Sequence, residues 1–149
     1  MFTNALNEQF GSILKKISPA SRRQYAKDVA IALRAHRSDE ILANKDADGK
    51  AMEQRKPQKA HRRQKNKSGK MFKKLGRRSS MRVRANANFA SIAFQPKNKK
   101  IADNHHFGKR IQVNKYSRVK YPERTLMGMG KKEEQIIFDK LYDLMAEAL

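Results

Sequence analysis

The stretch Met81-Arg82-Val83-Arg84-Ala85-Asn86-Ala87-Asn88-Phe89-Ala90-Ser91-Ile92-Ala93-Phe94 decides the fold class. Met81, Val83, Ala85 and Ala87 alternate with Arg82, Arg84 and Asn86, which is the period of a strand with one face toward a core. A turn at Asn86 to Asn88 leads into Phe89 to Phe94, a second strand, and the two read as a β-hairpin. Phe89 and Phe94 stand at strand spacing and are expected to face the core. Because helical patterns lie on both sides of this hairpin, the class is α+β.

Toward the N-terminus, Leu6, Phe10, Ile13 or Leu14, and Ile17 recur at helical spacing, which predicts a first helix ending near Lys16. Ser18-Pro19 then supplies an N-cap and a proline suited to the first helical position. The second helix carries Tyr25 or Ala26, Val29 or Ala30, Leu33 and Ile41 on its apolar face. Arg22, Arg23, Lys27, Arg34 and Arg37 fall on its other sides, and it stops near Asn44. Asp46-Ala47-Asp48-Gly49 is a turn signal, since the Asp side chain bonds nearby backbone and Gly tolerates positive φ. A calcium loop fails at its twelfth position, where Arg55 stands in place of the bidentate Glu.

Between this turn and the hairpin the chain is basic and polar. From Gln54 to Ala102 there is no Asp or Glu, and the whole chain carries 35 Lys and Arg against 14 Asp and Glu, a formal net charge of +21. Such a field implies a polyanion or an acidic protein surface as partner, against the plainer reading of a solvated, solubilising loop. Arg55 to Gly69, including Arg55, Lys56, Arg62, Arg63, Lys65 and Lys67, has too little apolar surface to offset the entropy of ordering, so an extended, flexible arm is expected over about 45–69. Lys70 to Leu75 forms at most one helical turn, packing Met71, Phe72 and Leu75.

Toward the C-terminus, Pro96 to Lys100 is a polar break, and Ile101 to Phe107 is a short helix with Gly108 as left-handed cap. Ile111, Val113, Val119 and Tyr121 mark extended segments that Pro122 ends. The last helix starts near Lys132, with Glu133 and Glu134 placed for its positive end. Ile137, Leu141, Leu144 and Ala148, widened by Phe138 and Met145, form its packing stripe. The chain therefore reads as one domain over 1–149: N-terminal helices and a C-terminal helix packed on a small antiparallel sheet, with an extended basic arm.

The pattern excludes several chemistries. With no cysteine there is no disulfide framework, thiolate metal site or cysteine nucleophile. Adjacent His105 and His106 cannot both face one ion without an unusual backbone, so packing or hydrogen bonding is the reading for His105. Gly128-Met129-Gly130 matches no phosphate-cradling loop, and Ser79-Ser80 lacks a paired base. No enzymatic activity and no cofactor is expected. A nonspecific nucleic-acid-binding protein remains the alternative function, because a basic arm neutralises phosphates, but no base-reading motif is visible. No apolar run approaches the roughly twenty residues of a membrane span, and no export signal opens the chain, so a soluble protein made in the cytoplasm is expected.

Several segments, in order, resemble one family: the phage virion morphogenesis or S-type tail completion proteins of contractile-tailed phages. Ser18-Pro19-Ala20 with Arg22-Arg23 and Leu33-Arg34-Ala35 is similar to that family's SPA-x-RR helix opening. Asp48-Gly49 before Arg55-Lys56 is similar to its turn ahead of a basic arm, and Lys70 to Leu75 to its segment before the hairpin. Ile101-Ala102 with His105-His106-Phe107-Gly108, and Tyr121-Pro122-Glu123-Arg124 with Leu126 and Gly128, resemble its two remaining signatures. The resemblance covers about residues 15–149 and departs at Thr125, where a proline is usual, and in the unusually basic loop after Gly108.

The resemblance implies a structural neck protein in the virion, assembled in the host cytoplasm, that completes the tail and permits head-tail joining. It implies a homo-oligomeric, hexameric ring contacting the tail tube or tail terminator and the head-tail connector, with packaged DNA passing the lumen. His105, Phe107, Gly108, Tyr121, Pro122, Arg124 and Gly128 are then architectural: a capping glycine, a packed aromatic and a turn-forming Pro122 position the ring-building surface. Arg124 is expected either to bond a neighbour's backbone or carboxylate or to stand exposed and alone. The basic arm would meet acidic tail proteins or DNA.

Overall fold

The computed structural model describes residues 17–54 and 71–148. The expected first helix and the arm residues Arg55, Lys56, Arg62, Arg63, Lys65 and Lys67 lie outside the described residues. Helix α1 spans Pro19–Leu42. Its start is as the sequence reads: Ser18 is the N-cap, its Oγ accepting from Ser21 N at 3.1 Å, and proline occupies the first turn. Ala26, Val29, Ala30, Leu33 and Ile41 are buried along one face.

Strands β1, Met81–Ala85, and β2, Ala90–Phe94, pair antiparallel with Met81 opposite Phe94 and Ala85 opposite Ala90. This hairpin packs on α1. The inward ends of the pair, Met81 and Phe94, join Ile41, Met52, Leu75, Ala102 and Leu126 in the central core, with Phe72 and Met127 packed at its edge. Burying each large side chain of this set contributes on the order of 1.5–3 kcal/mol. Phe89 is half exposed, against expectation: it precedes the paired residues, so the pleat that fixes Phe94 inward does not constrain it.

Helix α2 spans Pro96–His106 and begins five residues earlier than its polar composition suggests. Pro96 occupies its first turn, and only Ala102 is buried, so Lys97, Lys99 and Lys100 can face solvent without breaking the helix. Strands β3, Arg110–Asn114, and β4, Ser117–Lys120, form a second hairpin with a bulge between Gln112 and Asn114. The β structure among the described residues is thus two separate two-stranded sheets, and the class remains α+β.

Helix α3, Lys131–Ala148, packs on α1. Tyr25 Oη donates to the Ile137 carbonyl at 3.1 Å near the start of α1, while Arg37 near its end meets Glu133, so the helices run antiparallel. Ile137, Leu141 and Leu144 are half-buried, whereas Phe138 lies outside the packing stripe and is half exposed. The side chain of Ala148 lies outside the described residues.

Residues 45–54, counted with the arm in the sequence reading, are part of the folded body. Lys45 bridges Ala51, and Ala47 and Met52 are buried. The Asp46 to Gly49 turn forms as expected: Asp46 Oδ1 accepts from Asp48 N and Lys50 N, and Gly49 has φ +78°.

Candidate functional site

The signature residues of the C-terminal half meet at one place, where the end of α2 is clasped by the strap 121–130. Gly108 follows α2 with φ +56°, which turns the chain out of the helix, and Lys109 N donates to Asn104 O at 2.9 Å. The strap then returns along the helix end: Arg124 N donates to His105 O at 2.8 Å, and Leu126 N to His106 Nδ1 at 3.2 Å. A Cβ on Gly108 would lie 3.0 Å from Glu123 N and 3.1 Å from Tyr121 O. Glycine is therefore required both by the left-handed backbone and by the closeness of the strap.

Arg124 is buried and spends its guanidinium on the chain's own groups. Nε donates to the Glu53 carbonyl at 3.0 Å, and Nη1 lies 3.4 Å from both the Pro122 carbonyl and His105 Nδ1. One side chain thereby ties the strap, the loop after α1 and the end of α2. Neither an exposed Arg124 nor one presented to a neighbour describes it, because three acceptors inside the fold surround it.

His105 stands between two aromatic rings, with Phe72 edge-on at 4.8 Å and Tyr121 tilted at 4.4 Å. Burial, and then the nearby Arg124 charge, lower its pKa, which favours the neutral imidazole that accepts from Arg124. Phe72 holds φ +60°, a conformation that costs a bulky residue on the order of 1–2 kcal/mol and that its packing must offset. Of the two signature aromatics, Tyr121 packs on His105 and Phe107 does not. Phe107 is 61% exposed, its ring T-shaped against His106 at 4.6 Å, with Lys109 Nζ 5.3 Å from its centroid.

The strap ends on the Asp46 to Gly49 turn. Ala47 N donates to the main-chain carbonyl of Thr125 at 2.9 Å, a contact that a proline at this position would also accept. A Cβ on Gly128 would lie 2.7 Å from Ala47 Cβ, and one on Gly130 2.7 Å from Ala47 O. Of the sequence-predicted residues, His105, Gly108, Tyr121, Pro122 and Arg124 are together in this clasp. Gly128 sits at its far end and Phe107 at its surface.

Arg37 and Glu133 form a second contact, which their positions on separate helix patterns do not foretell. The sequence placed Arg37 on the solvent side of α1, yet it is 1% exposed. Its Nη1 donates to Glu133 Oε1 at 2.9 Å, and Nη2 to the Asp46 carbonyl at 2.8 Å. Glu133 Oε2 also accepts from Gly130 N at 3.1 Å, which satisfies a backbone donor at the start of α3. The signal was present in the spacing, since Arg37 lies four residues from both Leu33 and Ile41. An open cleft of about 430 Å³ beside this pair is lined by His36, Glu40, Asp48 and Lys132 among others. Among the described residues no three His, Asp or Glu groups are placed to hold a metal ion.

The hydrogen bonds of the clasp, some between backbone groups and some through the Arg124, His105 and His106 side chains, tie the end of α2, the strap and the loop after α1 to one another. The model of the phage virion morphogenesis family matches residues 2–146. The chain belongs to that family. Tail completion protein S of Escherichia phage P2 is 29% identical over 132 residues, covering 87% of this chain and 88% of that protein. No solved structure matches the chain. Family membership bears out the resemblance carried by the SPA-x-RR opening and the His105 and Tyr121 signatures, and no helix among the described residues is long and apolar enough to cross a membrane.

Proposed function

We propose that this chain is a structural protein of the phage neck that completes the tail at its head-proximal end and makes it competent to join the filled head. The observation that carries the reading is the match to a tail completion protein along most of both chains. The clasp supports it: Arg124, His105 and His106 hold the fold together, which suits a structural part.

In this reading the protein acts as a ring, six-fold, between tail tube or terminator and head-tail connector. The charge of +21 per copy draws it to acidic neighbours or to DNA passing through the lumen. Arg55, Lys56, Arg62, Arg63, Lys65 and Lys67 act there by electrostatics, without reading sequence. Electron microscopy of particles from phage unable to make the protein tests the reading. Detached full heads beside unfinished tails are expected, and normal virions would refute it.

A further inference from the structure

The β3–β4 hairpin is the most exposed structured segment among the described residues. From Gln112 to Lys120 every residue except Ser117 is exposed, Tyr116 to 90%. It carries Lys109, Arg110, Lys115, Arg118 and Lys120, and no acidic residue occurs from Lys109 to Pro122. The pairing register sets Arg110 directly opposite Lys120 and Gln112 opposite Arg118. Like charges opposite one another destabilise an antiparallel pair, and an acidic surface laid against the ribbon would remove that cost. Val113, Tyr116 and Val119 add exposed apolar area to the same ribbon.

The complementary surface is on the same molecule. The outward face of α3 presents two adjacent rows at four-residue spacing, Glu134-Phe138-Tyr142 and Gln135-Asp139-Asp143, all six exposed. Phe138 is 52% and Tyr142 67% exposed. Among the described residues the charges of this face have weak partners on their own helix, Gln135 Nε2 to Asp139 Oδ1 at 2.7 Å and Lys140 Nζ to Asp143 Oδ2 at 3.6 Å, both in solvent. It is the acidic, aromatic counterpart of a basic hairpin with its own exposed apolar residues.

We propose that the β3–β4 hairpin of one copy docks on the outward face of α3 of a second copy. Two different patches that complement each other make a heterologous contact, which repeats head to tail and closes into a ring when the rotation allows. The interface deepens the ring reading above and rests on it. Opposite charge steers the encounter, and the aromatic and valine side chains supply area that water leaves.

The test measures self-association of the purified chain by sedimentation velocity, for the wild type, Arg118→Glu, Asp139→Lys, and an equal mixture of the two variants. Circular dichroism first establishes that both variants fold. At about 0.1 M salt the wild type is expected to self-associate, and to do so less at about 1 M, where the screening length falls to about 3 Å. Each variant alone should associate at least about tenfold more weakly, since a reversed charge juxtaposes like signs. The mixture should regain association, because each variant keeps one intact patch and the two altered patches also match.

Association of either single variant at wild-type strength, or a mixture that fails to recover, would overturn this interface while leaving the ring reading. That result with DNA binding lost in Arg118→Glu would assign the hairpin to nucleic acid, and recovery of the α3 face by a peptide of residues 1–16 would assign that face to the chain's own N-terminal segment. A wild type that stays monomeric at both salt concentrations would overturn the interface and the ring together.

Discussion

Arg37 on α1 and Glu133 at the start of α3 form a buried ion pair, Nη1 to Oε1 at 2.9 Å, with side chains 1% and 4% exposed. His36 Nε2 lies 3.4 Å from the same carboxylate oxygen. The pair fixes the end of one long helix to the beginning of the other and, through the Asp46 carbonyl, to the turn on which the strap rests.

Removing one partner leaves the other a largely buried charge without its main counter-charge. Arg37→Met is therefore expected to destabilise the fold by about 3–5 kcal/mol in urea unfolding, and Arg37→Met combined with Glu133→Leu by much less. Equal losses in the single and double variants would mean that the pair does not act as a unit.

Gly108→Ala should cost at least about 1–2 kcal/mol from its φ of +56° alone, and Gly108→Val more, because the side chain also meets the strap backbone. Thermal unfolding reads the stability, and tail completion in infected cells reads the assembly. A Gly108→Val protein of wild-type stability would contradict the geometry of the clasp.

His105 has a folded pKa held below its ordinary value by burial and by Arg124. The unfolded chain therefore takes up its proton first as the pH falls. Stability from this site is present above the unfolded value of about 6.5 and is lost as pH drops from there through the folded pKa. His105→Gln should flatten that acidic limb of the stability profile. An unchanged limb would place the pH dependence elsewhere.

Replacing Arg62, Arg63 and Lys65 together by Gln is expected to reduce tail completion while leaving the far-ultraviolet dichroism of the purified chain intact, since the change removes charge and no apolar side chain. Completion should also weaken as salt shortens the screening length from about 10 Å at 0.1 M to about 3 Å at 1 M. Completion indifferent to both would make these residues a solubility device.

Local rules carried the reading of the sequence where a residue's own chemistry decides its conformation. Ser18-Pro19, the alternation from Met81 to Ala85, Asp46 to Gly49 and Gly108 all adopt the structure their residue types favour. It failed where the partner lies far along the chain. Arg37 looked like a solvated cation because Glu133 is 96 residues away, and Glu133 looked like a complement to its own helix dipole. Arg124 was found as a signature residue, but its bond to the Glu53 carbonyl, 71 residues distant, has no local trace. The early start of α2 was hidden because a surface helix needs only one buried residue, here Ala102.

Adding the purified chain to an extract from cells infected with phage that cannot make it measures tail completion itself. If the chain completes the tail, free full heads and unfinished tails in the extract are converted to joined, plaque-forming virions in proportion to the protein added. Heads and tails already joined before the addition, or a folded chain that leaves them separate, would contradict it.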